Sequence, residues 1–445
     1  MAIIRVPGDK SISQRALILA SLATGSSRLE GILSAKDIQA TAVSLRKLGV
    51  CIPSIPDDGS EIQVPGLGFR GFQEPDDFLD FQNSGTGARI MLGVLSGQKF
   101  TTKVTGDESL CSRPMDRIIH PLSRMGAIFC ELKNPDRLPM EVTGSSLKSL
   151  THTSPVSSAQ VKSALILAGL VGEVPVSVSE PNCSRDHTER ILRMAGVSIV
   201  SYESDGRWQI DLKSPESTMS ALDIEVPGDF SSAAFFVILA LLGGIKDGLV
   251  IENVGLNPTR IGLLSVLSRM GSKIEIVQYD HGWSADSEPI GEIHVVPSML
   301  QSTDVTAHEV SSMIDEFPVF AAAAACASGV TKITGASELR LKESDRIKAI
   351  VNNLRAVGVE VDEFDDGFEI VGTDRPLNGF VLSYNDHRIA MAFGILGALD
   401  GNKIEMENMS VVDISFPGFW EILKQVSSKS DGSRFNHSEG VPGVG

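Results

Sequence analysis

Hydrophobic and polar positions along this chain follow a long-range pattern. Six times, a short polar segment is followed by an apolar run with the character of a helix. The six segments begin at Ser11, Ser84, Ser158, Ser231, Ser312 and Asp386. Neighbouring starts lie 73 to 81 residues apart, and regular spacing of this kind is typical of a repeated structural unit. The pattern therefore predicts six copies of one unit.

A second helix follows in each unit. In five units it ends in a hydrophobic residue and a glycine, and a glycine after a helix is a common C-terminal stop. These glycines are Gly49, Gly126, Gly196, Gly271 and Gly358. The sixth unit ends with the segment SFPGFWEILKQV, and short alternating segments such as IEIV predict strands between the helices.

The first helix of each unit is apolar nearly all round, as in FFVILALL and VFAAAAACA. A helix without a polar face has to be buried by other elements. Six such helices, six more polar ones and intervening strands predict sheets wrapped around a helical interior. Sheets with one solvent-facing surface favour antiparallel or mixed pairing.

The repeats divide the chain into two halves. The tripeptide Pro-Gly-Asp occurs at 7–9 and again at 227–229, and three units follow each copy. We therefore expect one domain over residues 9–226 and a second over residues 1–8 and 227–427, with hinge strands near these glycines. Residues 428–445 are polar and rich in glycine and serine, which predicts a disordered tail.

Charge and composition exclude several classes of function. A net charge of −17 argues against nucleic acid as a partner. The longest nearly uncharged apolar stretch, 231–245, falls short of the ~20 residues that span a bilayer. Five scattered cysteines without a C-x-x-C pair argue against a disulfide framework or a structural zinc site, and they indicate a reducing cytoplasm.

The openings of the predicted helices carry charged and polar side chains. A helix N-terminus favours anions, because its free N–H groups and the helix dipole point outward there. Some candidates for anion binding or proton transfer lie at these openings and others lie elsewhere in the repeated units. They are Lys10, Ser11, Arg15, Asn83, Thr86, Arg113, Ser157, Ser158, Gln160, Arg185, Arg260, Asp315, Glu316, Lys342, Glu343, Asp345, Arg346, His387 and Arg388. The sequence lacks a P-loop motif, which argues against a P-loop kinase or ATPase.

Taken singly, several of these residues have a structural explanation. A serine before an apolar helix is most often an N-cap, and we expect this for Ser231 and in part for Ser311 and Ser312. His387 alone would more often be a buried hydrogen-bonding residue than a catalyst. Their joint occurrence at equivalent positions of a repeat, however, predicts that they converge on one site for a phosphate- and carboxylate-bearing ligand.

Ten sequence strings occur in the order found in the EPSP synthase family: GDKSISQRA, NSGTGAR, SRPMDR, SSAQVKSALILAGL, SRDHTER, NPTR, SMIDEFP, RLKESDR, NDHRIAMAF and SFPGF. The chain resembles the branch of that family that has S-A-Q-V-K-S-A in the third unit. The resemblance implies a two-domain inside-out α/β barrel, in which each domain has three βαβαββ units around buried helices. It also implies that the two domains close over the substrates.

The resemblance implies transfer of the enolpyruvyl group of phosphoenolpyruvate to the 5-hydroxyl of shikimate 3-phosphate. Matched position by position, shikimate 3-phosphate would contact Lys10, Ser11, Arg15, Ser158, Ala159, Gln160, Arg185, Asp315 and Lys342. Phosphoenolpyruvate would contact Lys10, Gly85, Arg113, Gln160, Arg346 and Arg388. We expect Asp315 to accept the hydroxyl proton, while either Lys10 or Glu343 protonates the methylene. No metal or cofactor is expected, and a monomer is expected because one chain supplies the whole site.

Two positions depart from the family pattern. Ile414 precedes Ser415-Phe416-Pro417, where another branch has a lysine, so we expect one phosphoenolpyruvate contact to be absent or replaced. Gly85 stands where this branch often has alanine. The space that glycine leaves predicts inhibition by micromolar glyphosate, competitive with phosphoenolpyruvate.

Two other functions compete with this interpretation. UDP-N-acetylglucosamine 1-carboxyvinyltransferases have the same six-unit architecture, but they usually carry a reactive cysteine five residues before an Arg-Pro pair. Here Glu108 occupies that position and Cys111 lies two residues before Arg113. A non-catalytic anion-binding protein is the other alternative, and the combination of Asp315, Glu343 and Lys10 argues against it.

Overall fold

The computed structural model of the chain describes residues 1–213, 217–280 and 286–427. The tail predicted over residues 428–445 lies outside the described residues. Within these ranges, every helix is too short or too polar to cross a membrane.

Helices and strands alternate throughout the described chain. The helices are α1 Lys10–Leu22, α2 Lys36–Lys47, α3 Gly85–Ser96, α4 Glu108–Ser112, α5 Asp116–Met125, α6 Ala159–Gly172, α7 His187–Met194, α8 Phe230–Leu241, α9 Gly262–Arg269, α10 Ala307–Val310, α11 Phe317–Ala325, α12 Arg346–Ala356, α13 His387–Ala398 and α14 Phe419–Val426. Two short 3-10 helices span Ser337–Leu341 and Ser410–Ile414.

The strands are β1 Ala2–Arg5, β2 Thr24–Glu30, β3 Ile62–Leu67, β4 Leu79–Asp80, β5 Thr101–Thr105, β6 Ile128–Glu131, β7 Met140–Thr143, β8 Leu150–Thr153, β9 Val176–Glu180, β10 Ile199–Ser204, β11 Arg207–Leu212, β12 Asp223–Glu225, β13 Leu249–Gly255, β14 Lys273–Gln278, β15 Ile290–Val296, β16 Asp304–Val305, β17 Val330–Ile333, β18 Glu360–Phe364, β19 Gly367–Val371, β20 Asn378–Val381 and β21 Lys403–Met406.

Within the described ranges these strands form six sheets, one for each repeated unit. Their orders are β12-β2-β3, β4-β5-β7-β6, β10-β11-β9-β8, β1-β13-β15-β14, β16-β17-β19-β18 and β20-β21. Each sheet contains one parallel pair, and five of them add antiparallel strands. The predicted mixed pairing is therefore confirmed.

The first helix of each unit lies inside the ring of sheets. Nearly every residue of α1, α3 and α6 is buried in one hydrophobic core, and the same holds for α8, α11 and α13 in a second core. The first core draws on residues 12–226, and the second on Ile4, Val6 and residues 230–423. The predicted inside-out α/β architecture is confirmed, and we propose that the two cores mark the predicted domains.

Helices α3 and α6 cross at very short range. A Cβ added at Gly93 would lie 2.0 Å from the carbonyl oxygen of Ala164, so only glycine fits at this crossing. The short crossing brings the openings of two different units together: Gln160 donates to Thr86 Oγ1 at 2.9 Å. Close packing of the buried helices thus positions the side chains at their N-termini.

The two Pro-Gly-Asp segments meet where the chain passes between the cores. Gly8 and Gly228 form an isolated β-bridge. Asp9 caps α1 by accepting from Ile12 N, and Asp229 caps α8 by accepting from Ser231 N at 2.7 Å. The buried guanidinium of Arg260 bonds Asp9 at 3.1 Å and Asp229 at 3.3 Å, which ties both crossovers together.

Two helix caps differ from the sequence prediction. Asp229, and not Ser231, caps α8, because its carboxylate accepts from the backbone of Ser231. Neither Ser311 nor Ser312 caps α11, which begins only at Phe317 with Pro318 in its first turn. Proline favours a helix start because its fixed φ suits the first turn and its missing N–H is not needed there. The five stop glycines are confirmed, and all have positive φ.

Candidate active site

A cleft of about 400 Å³ lies where helix openings from both cores face each other. Most of the predicted site residues line it. These are Lys10, Ser11, Gly85, Arg113, Ser158, Ala159, Gln160, Arg185, Asp315, Lys342, Glu343 and Arg388. Side chains that are more than 300 residues apart in sequence therefore share one cavity. Ile414 is not part of the cleft lining, and its predicted effect on a substrate contact stays a prediction.

Arg15 and Arg346 lie one layer behind the cleft wall. Arg15 is buried and donates to the carbonyl oxygen of Ser11 at 2.9 Å. Arg346 is fully buried, and its nitrogens donate to Asp386 at 2.8 Å, to Asp315 at 3.2 Å and to Glu343 at 2.6 Å. The structure thus brings these two arginines to the site but not to its surface.

Asp315 is the central acid of the cleft. Four cationic side chains surround it: Arg185, Arg346, Arg388 and Lys342. Arg185 comes from the first core and makes a direct ion pair with Asp315, which the second core supplies. Burial by itself would raise the pKa of Asp315, but the four cations together hold it well below its usual value. Asp315 is therefore ionised and fully paired in this structure.

Glu343 is the second acid. Arg346 donates to it at 2.6 Å. Its burial favours the neutral form, yet Arg346, Arg113 and Lys10 hold the pKa of Glu343 well below its usual value. Burial and the nearby cations lower the pKa of His387, so this imidazole is neutral. Both acids are thus ionised while a neutral imidazole lies behind them.

Lys10 opens α1 at the cleft surface. Its Nζ lies 3.1 Å from Oδ2 of Asp37. The backbone N–H of Lys10 donates to Asp229 at 3.3 Å, so the residue is held at the crossover between the two cores. Lys10 therefore has a fixed backbone, and its ammonium group pairs with an acidic residue that also lines the cleft.

The openings of α3 and α6 form the opposite part of the wall. Ser84 caps α3 and Ser158 caps α6. Next to Gly85, Arg113 donates to Asn83 at 2.8 Å and to Ser109 at 3.0 Å. Because Gly85 has no side chain, it leaves room for Arg89 and Arg113. An added Cβ would lie 3.2 Å from a terminal nitrogen of each arginine.

Sequence reasoning did not single out four residues that line this cleft. Asp37 pairs with Lys10, and Arg89 donates to Gln160 at 2.8 Å. Arg117 and Glu338 form a two-pronged ion pair of 2.8 and 3.0 Å that connects the two cores. Arg89 and Arg117 lie within strings that carried the family resemblance, and that position was the available signal.

A second set of contacts between the cores lies around α7. His187 Nδ1 is 2.6 Å from Glu288, and Asn257 bonds both Asp186 at 2.7 Å and Glu288 at 2.9 Å. The ligand atoms of Asp186, His187 and Glu288 lie within 4.8 Å of one another. Since these groups already bond one another and Asn257, their evident role is to join the halves.

The cleft presents several cationic side chains to anionic ligands, beside groups that can exchange protons. Arginine forks suit carboxylates and phosphates, and the helix openings add free N–H groups. The two ionised acids are candidate proton acceptors, and the ammonium group of Lys10 is a candidate proton donor. Binding of phosphate- or carboxylate-bearing ligands, with proton transfer beside them, is the chemistry that this arrangement fits best.

Comparison with known proteins gives a consistent result. The sequence model of the family described as EPSP synthase (3-phosphoshikimate 1-carboxyvinyltransferase) matches residues 1–423. A 3-phosphoshikimate 1-carboxyvinyltransferase of Pelobacter propionicus is 42% identical over 420 residues, which is 94% of this chain and 95% of the relative. A 3-phosphoshikimate 1-carboxyvinyltransferase of Alkaliphilus metalliredigens is 46% identical over 424 residues, which is 95% of this chain and 96% of the relative. The solved EPSP synthase of Acinetobacter baumannii superposes with a TM-score of 0.80 at 37% identity, over 96% and 95% of the two chains.

Proposed function

Because the chain belongs to the EPSP synthase (3-phosphoshikimate 1-carboxyvinyltransferase) family, we propose that its cleft holds shikimate 3-phosphate and phosphoenolpyruvate side by side. The enzyme transfers the enolpyruvyl group to the 5-hydroxyl and releases phosphate, a step in the biosynthesis of chorismate and aromatic amino acids. The observation that carries the placement of the substrates is the set of cations from both cores around Asp315.

Shikimate 3-phosphate would lie against the openings of α1 and α6. Ser11, Ser158, Ala159 and Arg185 offer hydroxyl, backbone N–H and guanidinium donors there. Lys342 and Asp315 would face its ring hydroxyls, and Arg15 would act from behind Ser11, whose carbonyl it bonds.

Phosphoenolpyruvate would lie against the opening of α3. Arg113 and Arg388 supply guanidinium groups, Gln160 an amide and Lys10 an ammonium. Gly85 leaves space beside Arg113 for the ligand. Arg346 donates to Asp315 and Glu343 at this region, so it would bind phosphoenolpyruvate once the anionic substrate displaces these carboxylates.

The reaction proceeds by addition and elimination. The 5-hydroxyl oxygen bonds to C2 of phosphoenolpyruvate and gives up its proton to Asp315, while C3 gains a proton. The C2–O bond to phosphate then breaks and C3 loses a proton, which restores the double bond. Arg113 and Arg388 stabilise the redistributing charge through a preorganised field.

In this structure the surrounding cations hold the pKa of Asp315 well below its usual value, which weakens it as a base. The cations that cause this are those assigned to the two substrates. When their phosphate and carboxylate groups engage Arg185, Arg346 and Arg388, Asp315 loses its partners and its pKa rises. Substrate binding would thus create the base.

The donor to the methylene is either Lys10 or Glu343, and Glu343, which is ionised in this structure, would first have to take up a proton. Exchange of the methylene hydrogens of phosphoenolpyruvate with D2O, followed by NMR, reports protonation at C3 separately from turnover. We expect exchange to be lost in the variant that removes the donor, Lys10→Met or Glu343→Gln, and to persist in the other.

Phosphate release with both substrates tests the function. Wild-type enzyme should release phosphate with shikimate 3-phosphate and not with UDP-N-acetylglucosamine, while Asp315→Ala and Lys10→Ala should be inactive yet folded. Activity with the nucleotide sugar alone would instead assign the rival transferase. Binding of both ligands without release by the wild type would assign a non-catalytic protein.

We also propose that the enzyme is a cytoplasmic monomer. One chain supplies every cleft residue named above, so the site is complete without a partner. All five cysteines are free, and Cys51 and Cys130 are exposed, which suits a reducing compartment. Light scattering in solution tests the first point, and fractionation of native cells tests the second.

A further inference from the structure

Three ionised side chains lie buried together beneath the cleft wall, outside the residues assigned above. Lys162, Glu180 and Glu189 expose at most 1% of their surfaces. The ammonium nitrogen of Lys162 lies 3.2 Å from Glu180 and 2.8 Å from Glu189. A buried ion pair often contributes no more stability than well-packed apolar side chains would. Stability alone therefore does not account for this cluster.

Glu180 ties two separate segments of the predicted phosphate site together. Its Oε2 accepts from the backbone N–H of Ser158 at 3.2 Å, and its Oε1 accepts from the backbone N–H of Ser184 at 2.8 Å. The hydroxyl of Ser184 donates to both oxygens. Ser158 opens α6, and Ser184 immediately precedes Arg185. One carboxylate thus fixes both groups relative to each other.

Lys162 completes this connection from the other side. Its ammonium group donates to the carbonyl oxygen of Ser184 at 2.9 Å while it pairs with Glu180. The backbone of Ser184 is therefore held by hydrogen bonds at both its N–H and its C=O. Burial disfavours the charged ammonium, but Glu189 and Glu180 raise the pKa of Lys162 above its usual value, so it stays charged at all working pH values.

Glu189 links the same cluster to Arg15. Burial lowers the pKa of Arg15 to about 10, and the charge of Glu189 opposes that effect. The neighbouring Thr188 accepts from Arg15 Nε at 2.8 Å. Two glutamates thus balance two buried cations, one of which supports Ser11 in the cleft.

We propose that Lys162, Glu180 and Glu189 form a positioning unit that holds Ser158, Arg185 and Arg15 in the arrangement that binds the phosphate of shikimate 3-phosphate. The inference rests on the proposed function and extends it, since none of the three residues touches substrate. The positioning unit sets the affinity of the enzyme for shikimate 3-phosphate. Phosphoenolpyruvate shares Lys10 and Gln160 with this region but lies mainly against the opening of α3, so its binding is affected less.

Glu180→Gln is the direct test. It keeps the shape of the side chain, but only one of the two oxygens that accept hydrogen bonds remains. We expect KM for shikimate 3-phosphate to rise about tenfold, the effect of losing one charged hydrogen bond. KM for phosphoenolpyruvate should change less than about twofold. Glu180→Asp keeps both oxygens and the charge, and should recover part of the loss.

Leu170→Ala is the matched control. Leu170 lies in the same helix as Lys162 and is fully buried, so its truncation destabilises the same core without touching the cluster. It should lower Tm and leave both KM values unchanged. Glu189→Gln provides a second isosteric variant, should Glu180→Gln not fold, and it should raise the same KM through Arg15.

The possible results separate the two ideas. A wild-type enzyme that releases no phosphate from the two substrates overturns the proposed function itself. An active wild type whose folded Glu180→Gln and Glu189→Gln variants behave like Leu170→Ala overturns only the positioning role. An equal rise of both KM values would also overturn it, since the unit would then act on the cleft as a whole.

Discussion

At the scale of single residues, the structure shows more than the sequence about how charges are paired. The strings around Asp315, Glu343 and Lys10 indicated a site, and the side chains do converge on one cleft. What the sequence did not reveal is that the acids are already bound to the arginines. Side-chain pairing depends on distances between distant segments, which no local pattern encodes.

Asp315→Asn tests whether this carboxylate competes with the substrates for cations. Turnover should fall by about 10²- to 10⁴-fold, the usual contribution of a general base. Binding of shikimate 3-phosphate should nevertheless tighten by about tenfold, because Arg185 is released and one repelling charge is removed. Calorimetric titration measures this directly.

Asp315→Glu is the control, because it keeps the charge and should not tighten binding. If Asp315→Asn instead binds shikimate 3-phosphate more weakly than wild type, the carboxylate acts mainly as a substrate contact. The idea that it stands in for substrate anions would then be abandoned.

Gly85→Ala tests the space beside the arginines. The new Cβ would meet Arg89 and Arg113 at 3.2 Å, tighter than ordinary contact, so both guanidinium groups must shift. We expect KM for phosphoenolpyruvate to rise severalfold and micromolar, competitive inhibition by glyphosate to be lost. Steady-state kinetics with varied phosphoenolpyruvate checks both. A wild-type enzyme that millimolar glyphosate does not inhibit would contradict the prediction.

At the scale of helices and strands, the sequence predicted most of the fold, including the buried helices and the five glycine stops. The prediction was wrong at α11, where Ser312 does not open the helix. There Asp315 and Glu316 precede the helix and bond distant groups, namely the cleft cations and Ser231. These tertiary contacts and Pro318 place the helix start at Phe317, against the local pattern.

Gly93→Ala tests the crossing that brings helix openings together. Its Cβ would lie 2.0 Å from the Ala164 carbonyl oxygen, so α3 and α6 would have to separate. We expect a loss of about 1–3 kcal/mol in the free energy of unfolding, measured by denaturant titration. Separation of the two openings should also raise KM for phosphoenolpyruvate.

Gly397→Ala is the matched control in another buried helix. There an added Cβ would lie 3.5 Å from Ile404, which is ordinary contact. It should leave stability unchanged or raise it by about 0.5–1 kcal/mol, since alanine favours a helix over glycine. Equal destabilisation of both variants would show that the α3–α6 crossing has no special role.

At the scale of the whole molecule, the contacts that hold the two halves together differ in how exposed they are. The set around α7 is largely buried, as in the pairing of His187 with Glu288. The pair of Arg117 and Glu338, by contrast, is about one third exposed on each side and borders the cleft. Domain closure was an expectation from the family resemblance, and the sequence did not indicate which residues connect the halves.

Arg117→Ala tests whether the pair at the cleft holds the unliganded enzyme closed. An exposed ion pair contributes at most about 1 kcal/mol to stability, so Tm should hardly change. The same small free energy can shift an equilibrium between open and closed forms, however. We therefore expect a larger radius of gyration in the absence of ligands, and addition of both substrates should reverse this increase. We also expect KM for each substrate to rise about two- to fivefold.

Arg269→Ala supplies the comparison, because Arg269 pairs with Glu309 within one half and has similar exposure. It should change neither the scattering profile nor either KM. If Arg117→Ala scatters like wild type and binds both substrates equally well, the remaining contacts between the halves, such as those around α7, hold them closed. Closure would then not depend on a releasable pair at the cleft, and substrates would enter without breaking it.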